Sequence, residues 1–223
     1  RYARKHSPLG AVMTVWENSD AFYHSSYLSI AYFGALINGK INTYKGKVAL
    51  YRSLTGVNAD DAAFLASLQI SGYGENLDFT EKYEETGQAR QTFYESMRYA
   101  TSRLNKMANS LDGEKKDILD GLLIGAEEVY AGVKTHLLAR AVFDGYETGL
   151  PQTKKYLAEL VEIKSVYESA RLRGERLWQK YRTGIKSCND AFNRKYERIL
   201  SRLKKRETEI LSEQKRGVFT LYL

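Results

Sequence analysis

The chain has 223 residues, 43% hydrophobic and 27% charged, with a formal net charge of +7 at neutral pH. That is enough apolar material for a sizeable core, and no run of about 18 apolar residues occurs, which excludes a membrane-spanning helix. The lone cysteine, Cys188, excludes an intramolecular disulfide and any cysteine-based zinc site, and nothing in the sequence demands a cofactor.

In chain order, residues 1–10 are a basic lead-in closing at Pro8-Leu9-Gly10. Ala11-Val12-Met13-Thr14-Val15-Trp16 follows, short, apolar and rich in β-branched residues, and runs at once into the polar cluster Glu17-Asn18-Ser19-Asp20. Length and composition predict a buried strand that ends in a loop. The only segment that could pair with it is Val218–Leu223, at the far end. A lone buried strand leaves its N–H and C=O groups unpaired, so either these six residues are not a strand or their sheet lies in a part of the protein outside this chain.

Everything downstream is helical in period. Ser19 or Asp20 can cap a helix over Ala21–Asn38, with Phe22, Tyr27, Ile30, Phe33 and Ile37 on its stripe and Asn38-Gly39 at its end. Thr43–Leu54 predicts a second helix, stopped by Thr55-Gly56. Asn58 to Asp61 caps a third, carrying Phe64, Leu65 and Leu68. Ser71–Asn76 is a loop whose Gly-x-Gly lacks the third glycine and the lysine of a phosphate cradle. Glu85–Ser110 is a long amphipathic helix on Phe93, Met97, Ala100, Leu104 and Met107.

Glu114 to Tyr181 predicts the spine of the fold: two long helices hinged at Gly149-Leu150-Pro151. Ile118, Leu122, Val129, Val133 and Leu137 stripe the first arm. Leu157, Leu160, Tyr167, Leu177, Trp178 and Tyr181 stripe the second. Gly149 suits the left-handed position after a helix end, and Pro151 suits the first helical position. So short a turn packs the arms antiparallel. After Thr183-Gly184, a last helix over Asn189–Lys215 carries Phe192, Tyr196, Ile199, Leu203 and Ile210. The fold class is mostly α, an antiparallel helical bundle built on two long helices. One short strand precedes it, of the kind that belongs to an α/β barrel. Residues 1–40 are expected to be the last strand and helix of a partial barrel-like domain, and 41–223 an α-helical C-terminal domain.

Chemistry is sparse in these residues. His6, His24 and His136 fall in unrelated segments, none with a ligand-spaced partner, so no metal site is expected. Cys188 has no triad around it, and Asp60-Asp61, Glu84-Glu85 and Glu127-Glu128 are adjacent pairs whose members point apart, as on solvated faces. From Arg171 to Arg216 the chain carries 15 Lys/Arg against 6 Asp/Glu, which holds the whole positive excess. It reads first as a solvated helix face with Glu197, Glu207, Glu209 and Glu213 among the bases, or else as a footprint for an anionic partner. Basic residues do not alternate with aromatic ones there, which disfavours nucleic acid as a partner. One place has the composition of a ligand wall. Trp16 at a strand end offers a flat apolar face, and Glu17, Asn18 and Asp20 offer acceptors from the loop, as sugar sites do. By themselves these residues read more simply as a core tryptophan beside a helix cap.

Val12-Met13-Thr14-Val15-Trp16, its polar loop and the small-residue-rich helix after it resemble the last barrel strand of family 20 glycoside hydrolases and the segment that follows. The closer likeness is to exo-acting β-N-acetylglucosaminidases with a large helical domain after the barrel. Thr55-Gly56 before Phe64-Leu65, the helix through Ala126–Tyr146, Leu172-Arg173-Gly174-Glu175-Arg176-Leu177-Trp178 and Ile199-Leu200-Ser201-Arg202-Leu203 are similar in kind and order. The resemblance spans about residues 10–203 and rests on pattern rather than a strict signature. It implies that Trp16 walls the terminal N-acetylhexosamine of a glycan and that Glu17, or Asp20, holds sugar hydroxyls. The loop Trp16-Glu17-Asn18-Ser19-Asp20 departs from the Trp-Gly-Asp-Asn-like loop of that family. The family's catalytic Asp-Glu pair, which works with the substrate's own acetamido group, lies on an earlier strand and has no counterpart here. The resemblance therefore implies no catalytic residue in this chain, which alone would not hydrolyse glycans. Its bundle would buttress the parent barrel or assist a homodimer. The alternative is a non-enzymatic helical scaffold whose basic end docks an anionic partner.

Overall fold

The computed structural model describes residues 23–68, 87–149, 151–181 and 186–216. The expected strand at 11–16, the loop at 71–76 and the tail at 218–223 lie outside them. Among the described residues the chain forms seven helices: α1 (Tyr23–Ile37), α2 (Tyr44–Thr55), α3 (Ala59–Ser67), α4 (Gly87–Asn109), α5 (Gly113–Glu147), α6 (Thr153–Tyr181) and α7 (Lys186–Arg216). The helical bundle expected from the sequence is present.

Local chemistry sets the ends. Thr43 caps α2 by accepting from the Gly46 N–H at 3.1 Å, and Gly56 closes that helix at φ +74°. Asn58 caps α3 through the Asp61 N–H at 2.9 Å. At the hinge, Gly149 takes φ +70°, the left-handed turn predicted for it. Pro151 lies two residues ahead of α6 rather than in its first turn, and the Tyr156 N–H bonds back to Gln152. The ring's fixed φ thus shapes the approach to the helix.

α5 is the axis of the molecule. From Asp117 to Leu138 none of its residues is exposed, because neighbours cover it on every side. One core gathers Leu28 of α1, Tyr51 of α2, Leu65 of α3 and Met97, Leu104 and Met107 of α4 around Ile118, Leu119 and Leu123. The other gathers Tyr156, Leu160, Ile163, Tyr167 and Leu177 of α6, with Tyr196, Ile199, Leu203 and Ile210 of α7, around Ile124, Ala131, Leu138 and Val142. The single α5 stripe read from the sequence is therefore one of two buried faces. Ile37, 51% exposed, and Tyr181, 41% exposed, are rim rather than core residues.

Polar ties lock the first half. Arg103 of α4 donates to Asp61 of α3 at 2.8 Å and lies over the Phe64 ring. Lys47 of α2 donates to the Ala66 carbonyl at 2.6 Å and faces the rings of Tyr32 and Tyr51. Asp61 is thus paired rather than solvated.

Candidate functional site

Trp16, Glu17 and Asp20, expected to contact sugar, lie outside the described residues. His136 sits on α5 away from any ligand set, and no group of three metal-ligating side chains occurs among the described residues. Cys188 falls in the first turn of α7.

The concentration of ionisable groups lies instead between α5 and α6. Asp117 and Asp120, one helical turn apart, have side chains only 1% exposed. Arg176 of α6 donates to both, with its Nη1 2.9 Å from Asp117 Oδ1. Lys180 and Tyr181 also donate to Asp117, the tyrosine at 2.7 Å. Arg173 donates to Asp120 at 3.0 Å, and Lys116 lies 3.3 Å from the same carboxylate. Burial pushes the Asp117 carboxyl upward, but the hydrogen bonds from Lys180, Tyr181 and Arg176 outweigh it and hold Asp117 below the usual carboxylate range.

Two turns along, Glu127 and Glu128 continue the row. Glu127 accepts from Ser169 at 3.2 Å and from Arg173 at 3.3 Å. Here burial prevails over both partners, and its carboxyl is raised. Glu128 accepts from Tyr196 of α7 and pairs with Lys195 at 3.1 Å. Tyr167, 1% exposed, has no protein partner for its hydroxyl among the described residues. Burial, then the nearby Glu128 charge, pushes it upward. The sequence expectation that Glu127-Glu128 belongs to a solvated face is corrected. Neighbouring helix residues do diverge, but α5 has protein on both sides, so Glu127 meets Arg173 of α6 and Glu128 meets Lys195 of α7.

The third cluster joins α4, α5 and α6. Tyr130 donates to Glu162 at 2.7 Å, and its ring stacks on Tyr94 at 5.4 Å between centroids. Buried Lys134 pairs with the same Glu162. Burial raises Glu162, but Lys134 and Tyr130 overcome it and keep the carboxyl low.

Each carboxylate of this seam is tied to a lysine, arginine or tyrosine, so the seam joins helices; Glu127 Oε2 and Arg173 Nε are buried in it without a hydrogen-bond partner among the described residues. The one signal that could have found it is charge complementarity in antiparallel register about the 149–151 turn: Asp117 and Asp120 on one arm, Arg173, Arg176 and Lys180 on the other. Comparison with models of protein families, with curated proteins and with solved structures found no match. No helix among the described residues is long and apolar enough to cross a membrane.

Proposed function

We propose that the chain is the C-terminal helical part of a carbohydrate-active enzyme of the exo-β-N-acetylglucosaminidase kind, with its bundle buttressing a preceding barrel. Support comes from the strand-like segment ending in Trp16 and from the order of the elements after it. The seating of α1 bears on where such a barrel would lie. Leu28 is buried in the first core, and α1 packs along α5. Trp16 precedes Tyr23 by seven residues, a reach of at most about 25 Å. A barrel closed by that strand would therefore sit against the bundle. In this reading Trp16 stacks on the terminal sugar, Glu17 or Asp20 holds its hydroxyls, and the catalytic acid comes from the parent barrel. The test is a complex of the intact protein with an N-acetylglucosamine-derived thiazoline. Contact between the ligand and Trp16 is expected; a ligand bound beyond side-chain reach of Trp16 removes the assignment.

One observation favours a second reading, a non-enzymatic scaffold for an anionic partner: three arginines on the outer side of α7 have no carboxylate partner among the described residues. Polyanion binding by an intact protein that hydrolyses no N-acetylhexosaminide would put this reading first.

A further inference from the structure

The basic residues of the Arg171–Arg216 segment whose side chains are described divide into inward and outward ones. Arg173, Arg176, Lys180 and Lys195 turn inward to the carboxylates of α5. Arg171 pairs with Glu168 and Glu175, and Arg206 with Glu209. Arg194, Arg198 and Arg202 remain, exposed and without an ion pair among the described residues. Four-residue spacing aligns them along one side of α7, about 6 Å apart, in a row roughly 12 Å long. Exposed Lys204 and Lys205 extend the charge, with Lys205 Nζ 4.0 Å from Glu209.

The rest of α7 narrows the choice of partner. Its apolar side, Tyr196, Ile199, Leu203 and Ile210, is buried in the second core. Between Asn193 and Ser212 the large apolar side chain left exposed is Leu211, and one residue makes no face to enter a bilayer. Over the same residues the exposed side has no aromatic ring, so bases have nothing to stack on there. Glu197 borders the row, and the Arg206–Glu209 pair closes its C-terminal end. A broad anionic surface laid on the row would also cover those acids; a single chain would not. Guanidinium forks match the oxygens of sulfate groups in pairs.

We propose that the Arg194–Arg198–Arg202 row of α7 docks a linear sulfated glycan. Its partner class rests on the carbohydrate reading above, and its geometry rests on α7 alone. The experiment measures binding of a chondroitin sulfate oligosaccharide to the full chain by calorimetry, beside its desulfated counterpart and a DNA duplex. Arg194→Ala/Arg198→Ala/Arg202→Ala is the test variant and Lys154→Ala/Lys155→Ala, at the exposed start of α6, the control. Binding is expected to need sulfate, to weaken about tenfold or more over about a fourfold rise in salt, and to fall at least as far in the triple variant alone. Circular dichroism checks that the triple variant remains helical. Equal binding of the desulfated chain, wild-type binding by the triple variant, or preference for the duplex overturns the proposal. Hydrolysis of a nitrophenyl N-acetylglucosaminide by the intact protein separates the two readings. Activity without sulfated-glycan binding defeats this proposal alone, whereas binding without activity supports the docking row and defeats the hydrolase reading.

Discussion

Arg173 of α6 reaches Asp120 of α5 across the helical hairpin, its Nη1 3.0 Å from a carboxylate 1% exposed. The same guanidinium holds Glu127 at 3.3 Å, so one side chain balances two buried acids. Arg173→Ala leaves Glu127 with Ser169 alone and takes one of three cations from Asp120, which keeps Arg176 and Lys116. Loss of about 3 kcal/mol is expected from breaking a buried pair on one side only, measured as a drop in the urea midpoint at constant slope. A change below about 0.5 kcal/mol would show that Lys116 and Arg176 suffice for Asp120.

The seam also sets how the fold responds to acid. Asp117 and Glu162 are held below their unfolded values of about 3.9 and 4.3. The stability they contribute is complete above those unfolded values and is lost as pH falls through the depressed folded ones. Glu127 has the opposite sign. Its raised carboxyl favours the protonated form, so its contribution shrinks as pH rises through the folded value. Urea titrations from neutral to acid pH should show a flatter acid limb for Asp117→Asn than for wild type. Glu127→Gln should hold or gain stability at neutral pH; a loss above about 1 kcal/mol would mean that the Arg173 pairing outweighs burial.

Two buried tyrosines give a paired comparison. Tyr196 donates to Glu128, whereas the Tyr167 hydroxyl has no partner in the protein among the described residues. Tyr196→Phe is expected to lose about 1–2 kcal/mol, since a carboxylate gives up a donor. Tyr167→Phe should stay within about 0.5 kcal/mol of wild type or rise above it. Thermal melts of both variants decide; the reverse order would contradict the hydrogen-bond assignment.

Gly145 lets α5 and α6 close at the hinge. A Cβ there would collide with the Tyr156 hydroxyl, which donates to the Ala141 carbonyl at 2.9 Å, and would lie 3.4 Å from the Pro151 Cα. Tyr156 is buried and anchored, so it cannot swing aside. Gly145→Ala should therefore lose about 1–3 kcal/mol despite its better helix propensity. Gly145→Ala combined with Tyr156→Phe should recover part of that loss; no recovery would place the strain at Pro151 instead.

Apolar spacing is a local property. The sequence alone therefore determined the helices, the Asn58 cap, the left-handed Gly149 and the antiparallel hairpin, each legible within a few residues. It also isolated Trp16, Glu17 and Asp20 by composition. Only tertiary structure decided which charges are interior. Asp117 and Lys180 lie 63 positions apart in the chain, and nothing near either one tells a buried partner from water. The same holds for Glu127 and Glu128, which look like surface until α4, α6 and α7 enclose α5. What remains outward, the arginine row of α7, became visible only once the inward cations had found their acids.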